Sequence, residues 1–150
     1  LSRLFLGGLT FFFKKDTMQN MKHISHLTVR SYECDAYNHV NNAVYLNYLE
    51  YARMEFLKDY GFNYKEFVAQ GYFIIVVRIA IDYKLSAVLD DVLTIETEPL
   101  KRRAASGVFR QRILRGDDLI AEAEITWATL NPQGKPSPIP REFEIPALNP

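Results

Sequence analysis

Between Asn41 and Tyr60 the apolar positions return every three or four residues. Tyr45, Tyr48, Leu49, Ala52 and Phe56 fall on one face of a helix. Tyr51, Met54 and Leu57 add apolar surface elsewhere around it, which predicts burial rather than a surface position. Gly61 follows as a stop after the last helical turn. Asn63 to Gln70 predicts a second, shorter helix that ends at Gly71.

Beyond Gly71 the period falls to two. The β-branched run from Tyr72 to Tyr83 predicts a strand, with Ile75, Val77, Ile79, Ile81 and Tyr83 on one side. Asp91 to Glu98 sets Leu93 and Ile95 against Thr94 and Glu96. Ser106 to Arg115 is the next strand, and the Gly-Asp-Asp after it is a hairpin turn. In Leu119 to Leu130, Ala121, Ala123, Ile125 and Trp127 alternate with Glu122, Glu124 and Thr126. A short strand, His26 to Ser31, precedes the long helix. This order predicts an α+β domain in which a curved antiparallel sheet wraps the central helix.

The chain has 150 residues, the usual length of one domain. We place that domain at 22–150 and read 1–21 as an N-terminal extension. Its apolar stretch, Leu4 to Phe13, is too short to span a membrane. No small-residue cleavage site follows it, so an extension outside the fold is favoured over an export signal or a packed N-terminal element. Eighteen basic residues balance 18 acidic ones, which removes a global basic field for nucleic acid. A single cysteine, Cys34, fits a reducing cytoplasm and reads as a small apolar filler rather than a nucleophile. His23 and His26 are too few for a metal site, and none is expected. A Gly-rich phosphate loop and a Gly-x-Ser-x-Gly elbow are both missing from the sequence.

The chemistry gathers just before the long helix. Asp35, His39, Asn41 and Asn42 stand close together in "CDAYNHVNN". One reading is structural: Asn41 or Asn42 caps the helix, His39 is a bonded loop residue and Asp35 forms a turn. The other is functional. Free N–H groups at a helix start favour negative charge. They can stabilise the oxyanion that forms when a carbonyl is attacked, while a nearby carboxylate attacks or activates water.

The segment Asp-x-x-x-His-Val-Asn-Asn, continued by Tyr45, Tyr48, Glu50 and Ala52-Arg53, resembles the hotdog-fold acyl-CoA thioesterases of the 4-hydroxybenzoyl-CoA thioesterase-like family. The likeness runs from about His26 to about Ile145, and Asp90 to Thr97 is a second similar stretch. It implies Asp35 as nucleophile or general base and the Asn42 backbone N–H as the group polarising the thioester carbonyl. Plant acyl-carrier-protein thioesterases have a matching motif that implies a helper role for His39. Those enzymes carry Asn two residues after the Asp, where this chain has Tyr37.

Asn41, which shapes the loop, and Tyr45 are candidate substrate-binding residues; Tyr45 lines an apolar pocket or, the favoured alternative, fills the core. Lys101, Arg102 and Arg103 are expected at the phosphates of coenzyme A, or else in a solvated turn. The implied partner is an acyl-CoA or acyl-carrier-protein substrate, with no cofactor besides the coenzyme A of the substrate, no nucleic acid and no membrane. Edge-to-edge pairing implies a homodimer or homotetramer with sites at the subunit boundary. Two other functions compete. A hotdog dehydratase or hydratase is expected to carry Asp-x-Asn-Pro-x-His, which Asp35 to His39 lacks. A non-catalytic acyl-thioester-binding module would keep the fold without the reaction.

Overall fold

A computed structural model of the chain describes residues 22–150, so the extension expected over 1–21 lies outside the described residues. Five antiparallel strands form one sheet in the order β1-β3-β4-β5-β2. They are β1 (His23–Thr28), β2 (Phe73–Tyr83), β3 (Val92–Arg103), β4 (Ser106–Arg115) and β5 (Asp118–Leu130). Two helices, α1 (Val44–Asp59) and α2 (Tyr64–Ala69), lie between β1 and β2 in the chain. The α+β class expected from the pattern is the class found.

The expected apolar face of α1 is the buried one. Tyr45, Tyr48, Leu49, Ala52 and Phe56 are all closed off from solvent, joined by Arg53 and Leu57. The opposite side is open, with Leu46 and Tyr51 exposed, so one chain covers the helix on one side only. The end of α1 follows from Gly61, whose φ of 81° suits a residue without Cβ. There the Gly61 N–H reaches the Lys58 carbonyl and the Phe62 N–H reaches the Leu57 carbonyl. This paired closure brings Phe62 onto Leu57 in the core.

Three boundaries differ from the sequence expectation. β1 starts at His23 rather than His26, because His23 and Ser25 already alternate inward. In β2 an irregularity between Val76 and Arg78 inserts one residue into the pairing with β5. Ile74 and Val76 therefore pair opposite the buried Thr129 and Trp127, and Ile79, Ile81 and Tyr83 continue that face. The expected inward positions Ile75 and Val77 are turned away from it. Finally, β3 runs through Pro99 to Arg103, so Lys101, Arg102 and Arg103 are strand residues rather than a turn. A second irregularity, between Pro99 and Lys101, absorbs the proline that lacks an N–H.

The core has two parts. Around the first half of α1 it is aliphatic with paired tyrosines, and includes Leu93, Ile95, Ile113 and Ile125. Around the second half it is aromatic, with Phe56, Phe62, Phe67, Phe109, Trp127 and Phe143. A polar belt separates them. The buried Arg53 donates to the Gln111 side-chain oxygen at 2.8 Å, and the Gln111 amide donates to Thr97 Oγ1 at 2.9 Å and the Leu49 carbonyl at 3.1 Å. Glu50 pairs with the same guanidinium from the exposed side.

Candidate active site

The chain reaches α1 through a tight hairpin. Cys34 and Val40 form an isolated antiparallel bridge. The Asp35 N–H donates to the His39 carbonyl at 2.8 Å, and the Asn38 N–H returns to the Asp35 carbonyl at 3.0 Å. Asn38 takes a left-handed φ of 60°, which asparagine tolerates better than most residues. Asp35 Oδ1 accepts the Tyr37 N–H at 2.8 Å and, more weakly, the His39 N–H at 3.4 Å. The loop thus holds one carboxylate oxygen, while Oδ2 has no hydrogen-bond partner among the described residues. Tyr37, which departs from the plant-like motif, is 81% exposed and leaves its backbone to do the tethering.

This hairpin is docked on the start of α1. The Asn41 N–H donates to the Glu33 carbonyl and the Val40 N–H to the Ala87 carbonyl, both at 2.9 Å. Asn41 Oδ1 accepts the Ala43 N–H at 2.9 Å, while its carbonyl accepts the Val44 N–H. Asn41 therefore performs the capping that the pattern offered to either asparagine, although the cap position itself is Ala43. The Asn42 carbonyl accepts the Tyr83 hydroxyl at 2.9 Å. Its N–H meets no acceptor among the described residues. The residue expected to act through its backbone thus has that donor free, just before the Ala43 and Val44 N–H groups that Asn41 satisfies.

Other expected site residues fall in different places. Tyr45 lies in the core, one of the two places the pattern allowed: it is buried, its hydroxyl accepts the Ala87 N–H at 3.0 Å and its ring meets Tyr83 edge-on. It holds the β2–β3 connection against α1. Asn41 is exposed and gives its side-chain oxygen to the helix start. His39 is exposed; its backbone bridges to Val88, and its ring has no hydrogen-bond partner among the described residues.

The basic strand end divides by face. Lys101 and Arg103 line a recess of about 220 Å³ with Ser106 and Thr126. Arg102 points the other way, pairing with Glu144 at 2.8 Å and stacking over the Trp127 ring at 4.9 Å. Alternate residues of a strand face opposite sides, so Arg102 is separated from that recess. Gly107 makes room for that stack: a Cβ there would lie 2.6 Å from the Trp127 ring.

The sequence reading missed a buried carboxylate just upstream. Glu33 is 6% exposed and takes hydrogen bonds from the Arg30 backbone and guanidinium and from the Tyr48 hydroxyl. Burial alone would raise its pKa, but those bonds prevail and hold it below the usual glutamate range. Only the spacing of Tyr48 on the buried helix face hinted at such a partner.

Residues 29–145 match the sequence profile of the Thioesterase-like superfamily. The chain belongs to that superfamily. Within it, the chain is 36% identical over 107 residues to the long-chain acyl-CoA thioesterase FadM of Escherichia coli, covering 70% of this chain and 80% of FadM. It is 34% identical over 116 residues to the acyl-CoA thioesterase YbgC of Haemophilus influenzae, covering 77% and 85%. The crystal structure of a probable thioesterase from Bartonella henselae superposes with a TM-score of 0.76 at 30% identity, covering 80% of this chain and all of that one. The architecture is the hotdog fold of these superfamily members.

Proposed function

We propose that this chain hydrolyses an acyl-CoA thioester to the free acid and coenzyme A. The observation that carries this reading is the Asp35 carboxylate, tethered by one oxygen in a hairpin that is docked against a helix start with a free Asn42 N–H. A thioester carbonyl placed between them meets an electrophilic donor on its oxygen and a carboxylate near its carbon. Asp35 either removes a proton from water as it adds to that carbon, or adds itself and is released by water in a second step. In both cases the C–S bond breaks and the departing thiolate takes a proton. His39 is the imidazole on the same loop and is assigned to help with that transfer.

The basic recess supports coenzyme A as the thiol carrier, with Lys101 and Arg103 as its phosphate contacts. Within one chain these residues lie roughly 30 Å along β3 from the end that meets the Asp35 hairpin, at about 3.3 Å per residue. The edge strand β2 offers a resolution. It exposes Phe73, Ile75, Val76 and Val77 along an unpaired edge. Two copies joined there by a twofold axis normal to the sheet pair antiparallel. The Tyr83 end of one copy, where Asp35 sits, then adjoins the end of the other copy that carries Lys101 and Arg103. A narrow cavity of about 40 Å³, lined by Met54, Leu57, Trp127 and the edge-strand residues Ile74 and Val76, is assigned to the acyl group.

The test is Asp35→Asn assayed by thiol release from acetyl-, hexanoyl-, palmitoyl- and benzoyl-CoA. Turnover should collapse on whichever substrate the native chain prefers, and an unchanged kcat/KM would overturn the assignment. Light scattering should give at least a dimer; a 17.4 kDa particle at micromolar concentration would contradict the shared boundary.

A further inference from the structure

Glu33 occupies an expensive position. A carboxylate closed off from water loses solvation, and a site that needs only packing is served as well by an apolar residue. Here the charge is retained, and its bonds connect the parts that the proposed reaction must align. One oxygen accepts the Arg30 N–H at 2.8 Å and the Tyr48 hydroxyl at 2.7 Å. The other accepts the Arg30 guanidinium, at 2.9 Å from Nε. The Glu33 carbonyl takes the Asn41 N–H at 2.9 Å. Through its backbone Glu33 therefore grips the first residues leading into α1, and through its side chain it grips Tyr48, farther along the same helix. Asp35 is two residues beyond it, on the strand of the hairpin that this bracket fixes.

Tyr48 is suited to the other half of the bracket. It is 2% exposed, its ring lies edge-on to Tyr45, and its hydroxyl reaches back from the buried face of α1. Burial and the bond to Glu33 both push its phenol well above the ordinary tyrosine range, so it remains a donor throughout the working pH of an enzyme. None of its bonds caps the helix or closes the sheet. The hydrogen bond joins the hairpin arm before Asp35 to the rod that presents Asn42, a side-chain tie added to the backbone bond between Glu33 and Asn41.

We propose that Glu33 and Tyr48 are positioning residues for the reaction, and that the bond between them sets the placement of Asp35 relative to the N-terminus of α1. This rests on the assignment of Asp35 in the proposed function. Both residues also line an open recess of about 440 Å³ with Arg30 and Asn47, and the role assigned to them is through the geometry of the hairpin. Losing the bond should misplace Asp35 by a fraction of an ångström or more, which costs rate rather than affinity.

The experiment compares Tyr48→Phe, Glu33→Ala and Glu33→Gln in the full chain, each alone and with Asp35→Asn, at a temperature where circular dichroism shows every variant folded. Tyr48→Phe and Glu33→Ala should lower kcat by about 10- to 100-fold with KM changed less than about threefold. Glu33→Gln keeps an oxygen that can accept from Tyr48 and should recover most of that loss. In the Asp35→Asn background Tyr48→Phe should have almost no further effect, because there is no carboxylate left to place. A Tyr48→Phe enzyme with native kcat, or one whose loss is as large with Asp35→Asn as without it, would overturn the inference. Should Tyr48→Phe not fold, Glu33→Gln against Glu33→Ala decides: equal losses in kcat would sink it. If Asp35→Asn alone is fully active, the proposed function fails; if only the Tyr48 and Glu33 variants are native, this inference fails and that function stands.

Discussion

The two ends of α1 are fastened by opposite chemistry. At Val44 the helix is held by directional bonds: Asn41 to Ala43, Tyr83 to Asn42, Tyr45 to Ala87 and Tyr48 to Glu33. At Asp59 it is held by aromatic bulk. Phe56 packs on Tyr60 and Phe109, Phe62 on Phe67, and Phe67 on Phe143. The polar contact there is His23 with Asp59 at 2.8 Å, tying β1 to the helix end. Aromatic packing supplies large apolar burial but tolerates small shifts of angle. Hydrogen bonds add little net stability each, yet weaken steeply when misaligned. The molecule thus concentrates aromatic packing at the Asp59 end and directional bonds at the end that carries Asp35.

That division can be broken experimentally. The largest effect should come from Asp35→Asn, which is expected to cut turnover by about 10²- to 10⁴-fold. Its thermal midpoint should hardly move, and a large drop in that midpoint would show that the site end also carries stability. Next comes the aromatic end. Phe67→Ala removes a fully buried ring and should cost about 3–5 kcal/mol in urea unfolding. Below its melting range that variant should retain native kcat/KM, and a proportionate loss of activity would erase the contrast.

A smaller effect is expected at Gly107→Ala. The added methyl meets both the Trp127 ring and the Lys101 carbonyl, at 2.6 and 2.9 Å. Overpacking of this kind costs about 1–3 kcal/mol, and tryptophan fluorescence should report the displaced ring.

The smallest prediction concerns acid. The Glu33 carboxyl is held below its ordinary value, so its contribution to stability is complete above the unfolded pKa of about 4.3. That contribution is lost as pH falls through the lower folded value. Asp91 behaves in the same sense; its pKa would be raised by burial but is lowered overall by the Val88 N–H and by Arg115. Between pH 5 and about pH 3 the urea midpoint of Glu33→Gln should fall less than that of the native chain. Parallel curves would show that the carboxylate is not ionised in its bracket.

Much of this is legible in the sequence wherever a periodic pattern meets one consistent environment. The buried face of α1 and the inward positions of β5 were both readable, since Ala121, Ala123, Ile125 and Trp127 alternate without a break. The β2 bulge was not, because Ile74 to Val77 is apolar at every position and shows no alternation before Arg78. Lys101 to Arg103 looked like a turn because Pro99 reads as a break, whereas the bulge beside it lets the strand continue. In the candidate site, the Asp35 loop was recognisable because its polar residues are local. The partners of that loop were not: Glu33 meets Tyr48, and Arg53 meets Gln111, only after distant segments are packed.

The strand order has a kinetic consequence. β3, β4 and β5 follow one another in both chain and sheet, so they can form early as a local meander. β1 and β2 end on opposite edges, and each needs a longer loop to close before it gains its contacts. The Asp35 hairpin joins β1 to α1 and therefore belongs to the late-closing part. Amide exchange should be slowest in β4, at the centre of the sheet, and much faster from Cys34 to Val40, where local opening leaves the meander intact. Loss of the reactive geometry through such opening would be an early, reversible event, recovered without refolding the chain.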